Sequence, residues 1–290
     1  MVQRERPKWL IFGATSAIGR GVRARLEAAG ADCTCVTRDS RAARADDAGA
    51  RWITGSLPGL SIDVACTVIA SLGPLDAFAT WLEHASLAGV QRVIALSSTS
   101  VHAKRDSPEL AERALAATLA DAEARLAARC AHAGVAWTIL RPTLVYGGAD
   151  DASLTRIARI ARRYGAFLLP AGATGLRAPV HADDVAAAVV AAVAAPAAGN
   201  RAYDLAGGEA LPYREMIARV LAALPSRPRL LIAPDFIAMP VLRLGARLAG
   251  ASPQLVARMR EDLVFDAGPA RADFGHAPRR FVPDAAMFGA

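Results

Sequence analysis

Lysine is almost missing from this 290-residue chain: only Lys8 and Lys104 occur, and arginine carries the rest of the positive charge. Acids are interspersed with the arginines, and no block of about five or six like charges appears. The net charge of +7 therefore does not mark a nucleic-acid-binding stripe. Cysteine is scarce too. Cys33, Cys35, Cys66 and Cys130 lie in apolar runs and form no C-x-x-C pair, which excludes a disulfide framework and predicts reduced, buried thiols. No H-E-x-x-H and no Asp-rich loop is present, so no metal is expected. Long apolar runs are lacking as well. The stretch 185–195 is too short to span a membrane, and 230–250 is interrupted by Pro234, Asp235, Pro240, Arg243 and Arg247. Residues 1–8 are charged but lead into an apolar run of only about five residues, which is not a signal peptide. The expectation is a cytoplasmic protein without a membrane or nucleic-acid partner.

What is present is a strand, turn and helix over residues 9–30. Trp9, Leu10, Ile11 and Phe12 form a run short enough for a buried strand. Gly13, Ala14, Thr15, Ser16 and Ala17 then allow close backbone approach. Ile18, Val22 and Leu26 recur at every fourth position, the spacing of one helical face. This order opens a nucleotide-binding βαβ unit, where unpaired N–H groups and the positive helix end meet a pyrophosphate. Gly13, Thr15, Ser16, Ala17, Ile18 and Gly19 are the candidate cofactor residues. The second strand candidate, 33–37, ends at Arg38. An arginine there pairs with a 2′-phosphate where an acid would hold a ribose hydroxyl, so Arg38, with Arg41 near it, tilts the cofactor toward NADP over NAD. Asp39 keeps NAD open.

Further short apolar runs at 52–54, 64–70, 92–96, 137–140 and 203–205 alternate with helical patterns at 75–88, 108–132, 154–164 and 185–195. Alternating β and α predicts a Rossmann-type doubly wound parallel sheet. Residues 1–164, with a return over 180–205, are assigned to this dinucleotide-binding domain. Residues 165–179 and 206–290 are assigned to a smaller substrate-side lobe. Ser97, Ser98, Thr99 and Ser100 cluster at the end of one strand, where open parallel sheets place their ligands.

Several stretches in the right order resemble the extended short-chain dehydrogenase/reductase superfamily, in particular its NAD-dependent epimerase/dehydratase group. Residues 13–19, GATSAIG, match its Gly-x-x-Gly-x-x-Gly turn with Ser16 for the middle glycine. Residues 96–101, LSSTSV, are similar to its SS-x-x-V-Y-G segment, and 141–147, RPTLVYG, to its R-P-x-x-V-Y-G segment. Residues 177–185, RAPVHADDV, and 203–207, YDLAG, resemble R-x-x-V-H-V-x-D-V and Y-N-L-G-G. The resemblance implies a catalytic hydroxyl at Ser98, cofactor contacts at Ala70 and Pro142, and substrate contacts at Thr99, Tyr146 and Arg177. Arg177 is matched to a contact with the pyrophosphate of a nucleotide-sugar; Arg258 and Arg260 are weaker candidates.

The superfamily's Tyr-x-x-x-Lys pair is missing. Four residues after Tyr146, Tyr164, Tyr203 and Tyr213 stand Asp150, Leu168, Gly207 and Ile217. The matching helix carries Leu115 and Leu119, and two aliphatic side chains move no proton. His102 stands where the motif has its tyrosine. With Lys104 it is the candidate for acid/base work, because imidazole titrates near neutrality. Two functions remain open: an NAD(P)-dependent oxidoreductase acting on a nucleotide-sugar-like small molecule, or a non-catalytic dinucleotide-binding redox sensor or assembly subunit. The leucines of 108–132 also suit a homodimer through that helix.

Overall fold

The computed structural model describes residues 6–39, 50–148, 154–248 and 258–289. The chain divides into two compact units, one formed by 1–142, 182–205 and 266–277, the other by 143–181, 206–265 and 278–290. The boundary falls at 142/143 instead of 164, and 266–277 returns to the first unit. Side chains explain that return. Tyr203 and Arg201 both donate to Asp273 Oδ2, at 2.6 and 2.7 Å, and Phe274 sets its ring edge-on to Tyr203.

In the first unit β1 (Lys8–Phe12), β2 (Asp32–Thr37), β3 (Arg51–Thr54), β4 (Val68–Ser71), β5 (Arg92–Leu96), β6 (Ala136–Pro142) and β11 (Arg201–Leu205) form one sheet. Its order is β11-β6-β5-β4-β1-β2-β3, every pairing parallel. The expected doubly wound sheet is therefore present. Strand order reverses between β1 and β4, the switch point at which open sheets leave a crevice beyond their carboxyl ends.

Helices cover both faces, because strands buried on two sides need apolar partners on each. On one face lie α2 (Leu75–His84) and α4 (Leu110–His132), with Phe12, Phe78 and Trp81 packed at ring distances of 4.7–5.7 Å. On the other lie α1 (Ala17–Ala28) and α6 (Ala182–Ala194), joined by Arg25 Nη1 to Asp183 Oδ1 at 2.6 Å. The short α3 (Ser100–Ala103) follows β5. The run expected at 64–70 begins as a strand only at Val68, just after Thr67, whose amide donates to Lys8 O and whose carbonyl accepts from the Arg92 amide.

The second unit contains β7 (Val145–Tyr146), α5 (Leu154–Tyr164), β8 (Ala166–Pro170), β9 (Leu176–Arg177), β10 (Val180–His181), β12 (Leu211–Pro212), α7 (Tyr213–Ala223), β13 (Arg229–Ala233) and α8 (Asp235–Leu248). Its strands make three two-stranded pairings: β10 with β7 and β13 with β8 in parallel, β12 with β9 antiparallel. Its core gathers Tyr146, Leu154, Leu169, Met216, Ile217 and Phe281. In the first unit, α9 (Gly268–Phe274) ends at Gly275, whose φ of +71° suits a residue without Cβ. Among the described residues no helix is long and apolar enough to cross a membrane.

Candidate functional site

The turn after β1 is shaped by three small residues. Gly13 has a φ of +75°, and a Cβ there would lie 2.8 Å from the Leu72 carbonyl carbon, on the chain leaving β4. Gly19 is tighter: a Cβ would sit 2.2 Å from Gly13 O. Ser16 is the N-cap of α1. Its hydroxyl donates to Gly13 O at 2.8 Å and accepts from Gly19 N at 3.0 Å. A serine at this place thus does more than fill the middle glycine's position; it ties both ends of the turn and satisfies one first-turn amide. Ala17 and Ile18 present the preceding amides, which have no carbonyl behind them within the helix. Thr15 is exposed, and its carbonyl accepts from Arg20. The residues therefore fit a dinucleotide's pyrophosphate: a cradle that a Cβ would fill, opening on a positive helix end.

Two neighbouring candidates lie in different surroundings. Arg38 is exposed at the end of β2, as is Asp39, while Arg41 lies outside the described residues. Ala70 is fully buried, opposite Ile11 and Ile94 in the sheet, so its side chain belongs to the core. The open position on that strand's exit is Gly73, where a Cβ would meet nothing within 4 Å. The Ser-Leu-Gly-Pro breaker at 71–74 was its only signal in the sequence.

The hydroxyl cluster after β5 separates by role. Thr99 is buried, with its amide 3.2 Å and its hydroxyl 3.4 Å from the Pro142 carbonyl, so both residues brace the strand ends. Ser98 is half-buried; its hydroxyl lies 3.1 Å from Ser100 Oγ and accepts from the Ser100 amide at 3.1 Å. Ser97 donates to Glu123 Oε1 at 2.5 Å.

Glu123 opens a buried ionic cluster. Arg141, from β6, donates to both of its carboxylate oxygens, through Nε and Nη2. Arg141 Nη1 lies 3.2 Å from His102 Nε2, and His102 Nε2 lies 3.4 Å from Asp204 Oδ1, at the end of β11. Asp204 Oδ1 is buried, and among the described residues the donors that face it are His102 Nε2, at 3.4 Å, and Arg141 Nη1, at 3.9 Å. Burial pushes the Asp204 carboxyl above its ordinary value, while His102 and Arg141 pull it down. Lys104 turns elsewhere, to Glu112 at 3.6 Å. Leu115 is substantially exposed and Leu119 packs on the core, so neither replaces the missing tyrosine or lysine.

This architecture agrees with a family model described as NAD(P)H-binding, which matches residues 13–196. The chain belongs to the NAD(P)H-binding family. The expected resemblance is thereby borne out at the level of an NAD(P)H-binding domain of Rossmann type. Among curated proteins it is 34% identical over 181 residues to the 2-alkyl-3-oxoalkanoate reductase of Stenotrophomonas maltophilia, covering 57% of this chain and 53%, about half, of that protein. It is 29% identical over 233 residues to the NAD(P)H azoreductase of Xenophilus azovorans, covering 76% and 74%. Among solved structures it superposes on MoeE5 in complex with UDP-glucuronic acid and NAD with a TM-score of 0.71, at 20% identity, over 97% of both chains. That likeness is one of fold.

In this family member the two residues matched to substrate contacts in the second unit are committed to its packing. Tyr146 is 1% exposed, edge-on to His181 and Phe281. Arg177 is buried against the Tyr213 ring. Its Nη1 donates to Leu176 O at 2.8 Å and Glu261 O at 2.6 Å, and its Nη2 to Arg258 O at 2.5 Å. Those donors satisfy main-chain carbonyls of 258–261, which explains why a cation tolerates burial there. Arg260, the other candidate, is paired with Asp235.

Proposed function

We propose that this protein is an NAD(P)H-dependent reductase of a small carbonyl compound, with NADP preferred over NAD. The observation that carries the reading is the Gly13–Ser16–Gly19 turn, which leaves the Ala17 and Ile18 amides at the positive end of α1. Arg38 supports the NADP preference by its exposure at the end of β2. When bound, the cofactor supplies hydride to the substrate carbon. The Ser98 hydroxyl holds the substrate oxygen, and His102 gives that oxygen a proton. A 3-oxo acid is favoured as substrate because the 34% identical relative is named for reducing one. A nucleotide-sugar has less support, since the donors of Arg177 face carbonyls.

Two measurements check this. NADPH and NADH should each raise the melting temperature, because a ligand that binds only the native state stabilises it. Arg38→Ala should weaken NADPH by about tenfold or more, the worth of one charged contact, and NADH little. Equal loss for both refutes the 2′-phosphate contact. NADPH oxidation should then be seen with a 3-oxo acid, in a panel including an azo dye and a UDP-ketosugar. Binding without turnover on any of them would favour the sensor reading, which Leu115 and Leu119 support.

The same reading places the protein in the cytoplasm as a homodimer through 108–132. Leu110 and Leu115 on α4 are 74% and 42% exposed, an apolar edge that a second copy would cover. Light scattering should give twice the chain mass; a concentration-independent monomer removes the dimer.

A further inference from the structure

Two places where the chain departs from the superfamily's motifs meet in space. His102 replaces the tyrosine of one segment, and Asp204 replaces the asparagine of another. They lie on α3 and at the end of β11, and their facing atoms are 3.4 Å apart. Neither segment by itself announces an acid/base pair.

We propose that Asp204 is the positioning residue that orients His102 for proton transfer to the substrate oxygen, with Arg141 holding Asp204 ionised. This rests on the reductase reading. The groups facing the pair are Arg141 from β6, Glu123 from α4 and Ser97 after β5. Glu123 takes two donors from Arg141 and one from Ser97, which locks the guanidinium in place. Arg141 Nη1 then stands 3.9 Å from Asp204 Oδ1, close enough to favour the carboxylate.

His102 Nε2 points into this cluster. A guanidinium has only donors, so Arg141 can meet Nε2 only at its lone pair, whereas Asp204 meets it only as N–H. The ionised Asp204 therefore favours the form in which Nε2 carries a proton, and that proton stays on Nε2 whether the ring is charged or neutral. With Nε2–H held by Asp204, the proton exchanged is the one on Nδ1. The Nδ1–H bond would break as an O–H bond forms on the substrate oxygen, and a bound dihydronicotinamide would supply the hydride to the substrate carbon. The electron pair stays on Nδ1, and the neutral ring keeps its Nε2 proton against Asp204. Water then restores the Nδ1 proton.

The carboxylate is the working form of Asp204. Because burial raises its pKa, activity should fall on acidification at a pH higher than an exposed aspartate would allow. Asp204→Asn should lower kcat about tenfold to a hundredfold, within the range of general acid/base contributions. KM and the NADPH-induced rise in melting temperature should stay unchanged, and the acid limb of the kcat profile should disappear. Asp204→Glu should restore part of the rate. A readout independent of turnover is the 13C titration of the Asp204 carboxyl in cofactor-free protein. It should move to higher pH in His102→Gln, because the imidazole lowers it in the native chain. An unchanged kcat and acid limb in Asp204→Asn, or an unmoved Asp204 titration in His102→Gln, overturns the proposal. Absence of turnover in the native protein with every acceptor overturns the reductase reading, and the catalytic part of the pair with it. The titration then still decides whether the two groups act on one another.

Discussion

Gly19→Ala should sharply reduce the thermal shift produced by NADPH and lower the melting temperature of the free protein. Intrinsic helix preference argues the opposite, since alanine inside a helix is favoured over glycine by about 1 kcal/mol. Gly19 lies in the first turn of α1, where that gain would normally appear. The space decides otherwise. The added Cβ would stand 2.2 Å from Gly13 O and 2.7 Å from the Ala14 carbonyl carbon, both backbone atoms that no rotamer change can move. Relief requires the turn to open, and overpacking of this kind costs about 1–3 kcal/mol. Opening also breaks the Ser16 bonds to Gly13 O and Gly19 N, which shape the cradle. A net loss of about 1–2 kcal/mol should lower the melting temperature by several degrees. Cofactor affinity should fall by about a hundredfold, because the amides that face the pyrophosphate are displaced. Thermal denaturation with and without NADPH reads both effects. A variant as stable as the native chain with its NADPH shift intact would refute the account of the turn.

Arg141→Met should destabilise the protein by about 3–5 kcal/mol, the usual consequence of removing one partner of a buried ion pair. The Glu123 side chain is only 9% exposed and would keep its charge with Ser97 as sole hydrogen-bond donor among those now serving it. Asp204 would lose a cation as well. Adding Glu123→Leu should recover most of the loss, since an apolar pair of similar volume removes both desolvated charges at once. Urea unfolding of the two single variants and the double variant checks this. Losses that simply add would show that Glu123 and Arg141 do not depend on each other. The double variant should nevertheless have impaired turnover, because Asp204 then lacks the guanidinium that favours its carboxylate.

Much of the first unit was legible. The run Trp9–Phe12, the glycine-bounded turn and the four-residue spacing of Ile18, Val22 and Leu26 all describe neighbours along the chain, and the strand and helix formed there with shifts of a residue or two. Helix Leu154–Tyr164 matches its expected bounds. The second unit was less legible. Strands β8 and β13 pair with each other across 63 positions, Ala166 with Arg229, and each alone is a short apolar run among prolines and glycines. An isolated two-stranded pair has little periodicity to announce it.

The site shows the same division. Gly13, Ser16 and Gly19 act on one another within seven residues, so their spacing carried the prediction. Arg177 was matched to a ligand because its segment says nothing about residues 258 and 261, whose carbonyls take its donors. Ala70 was placed at a strand end, but the strand runs one residue further, and alternation of faces put its methyl in the core.

By itself the sequence determined the alternating β and α pattern, the cofactor turn and the absence of a Tyr-x-x-x-Lys pair, because each depends on residue types at short, fixed separations. Only the tertiary structure decided which charges meet. Strand order brings the ends of β5, β6 and β11 side by side, so Ser97, Arg141 and Asp204, far apart in the chain, converge with His102 and Glu123. Ion pairing and desolvation follow distances in space, and those are fixed by which strands lie next to one another.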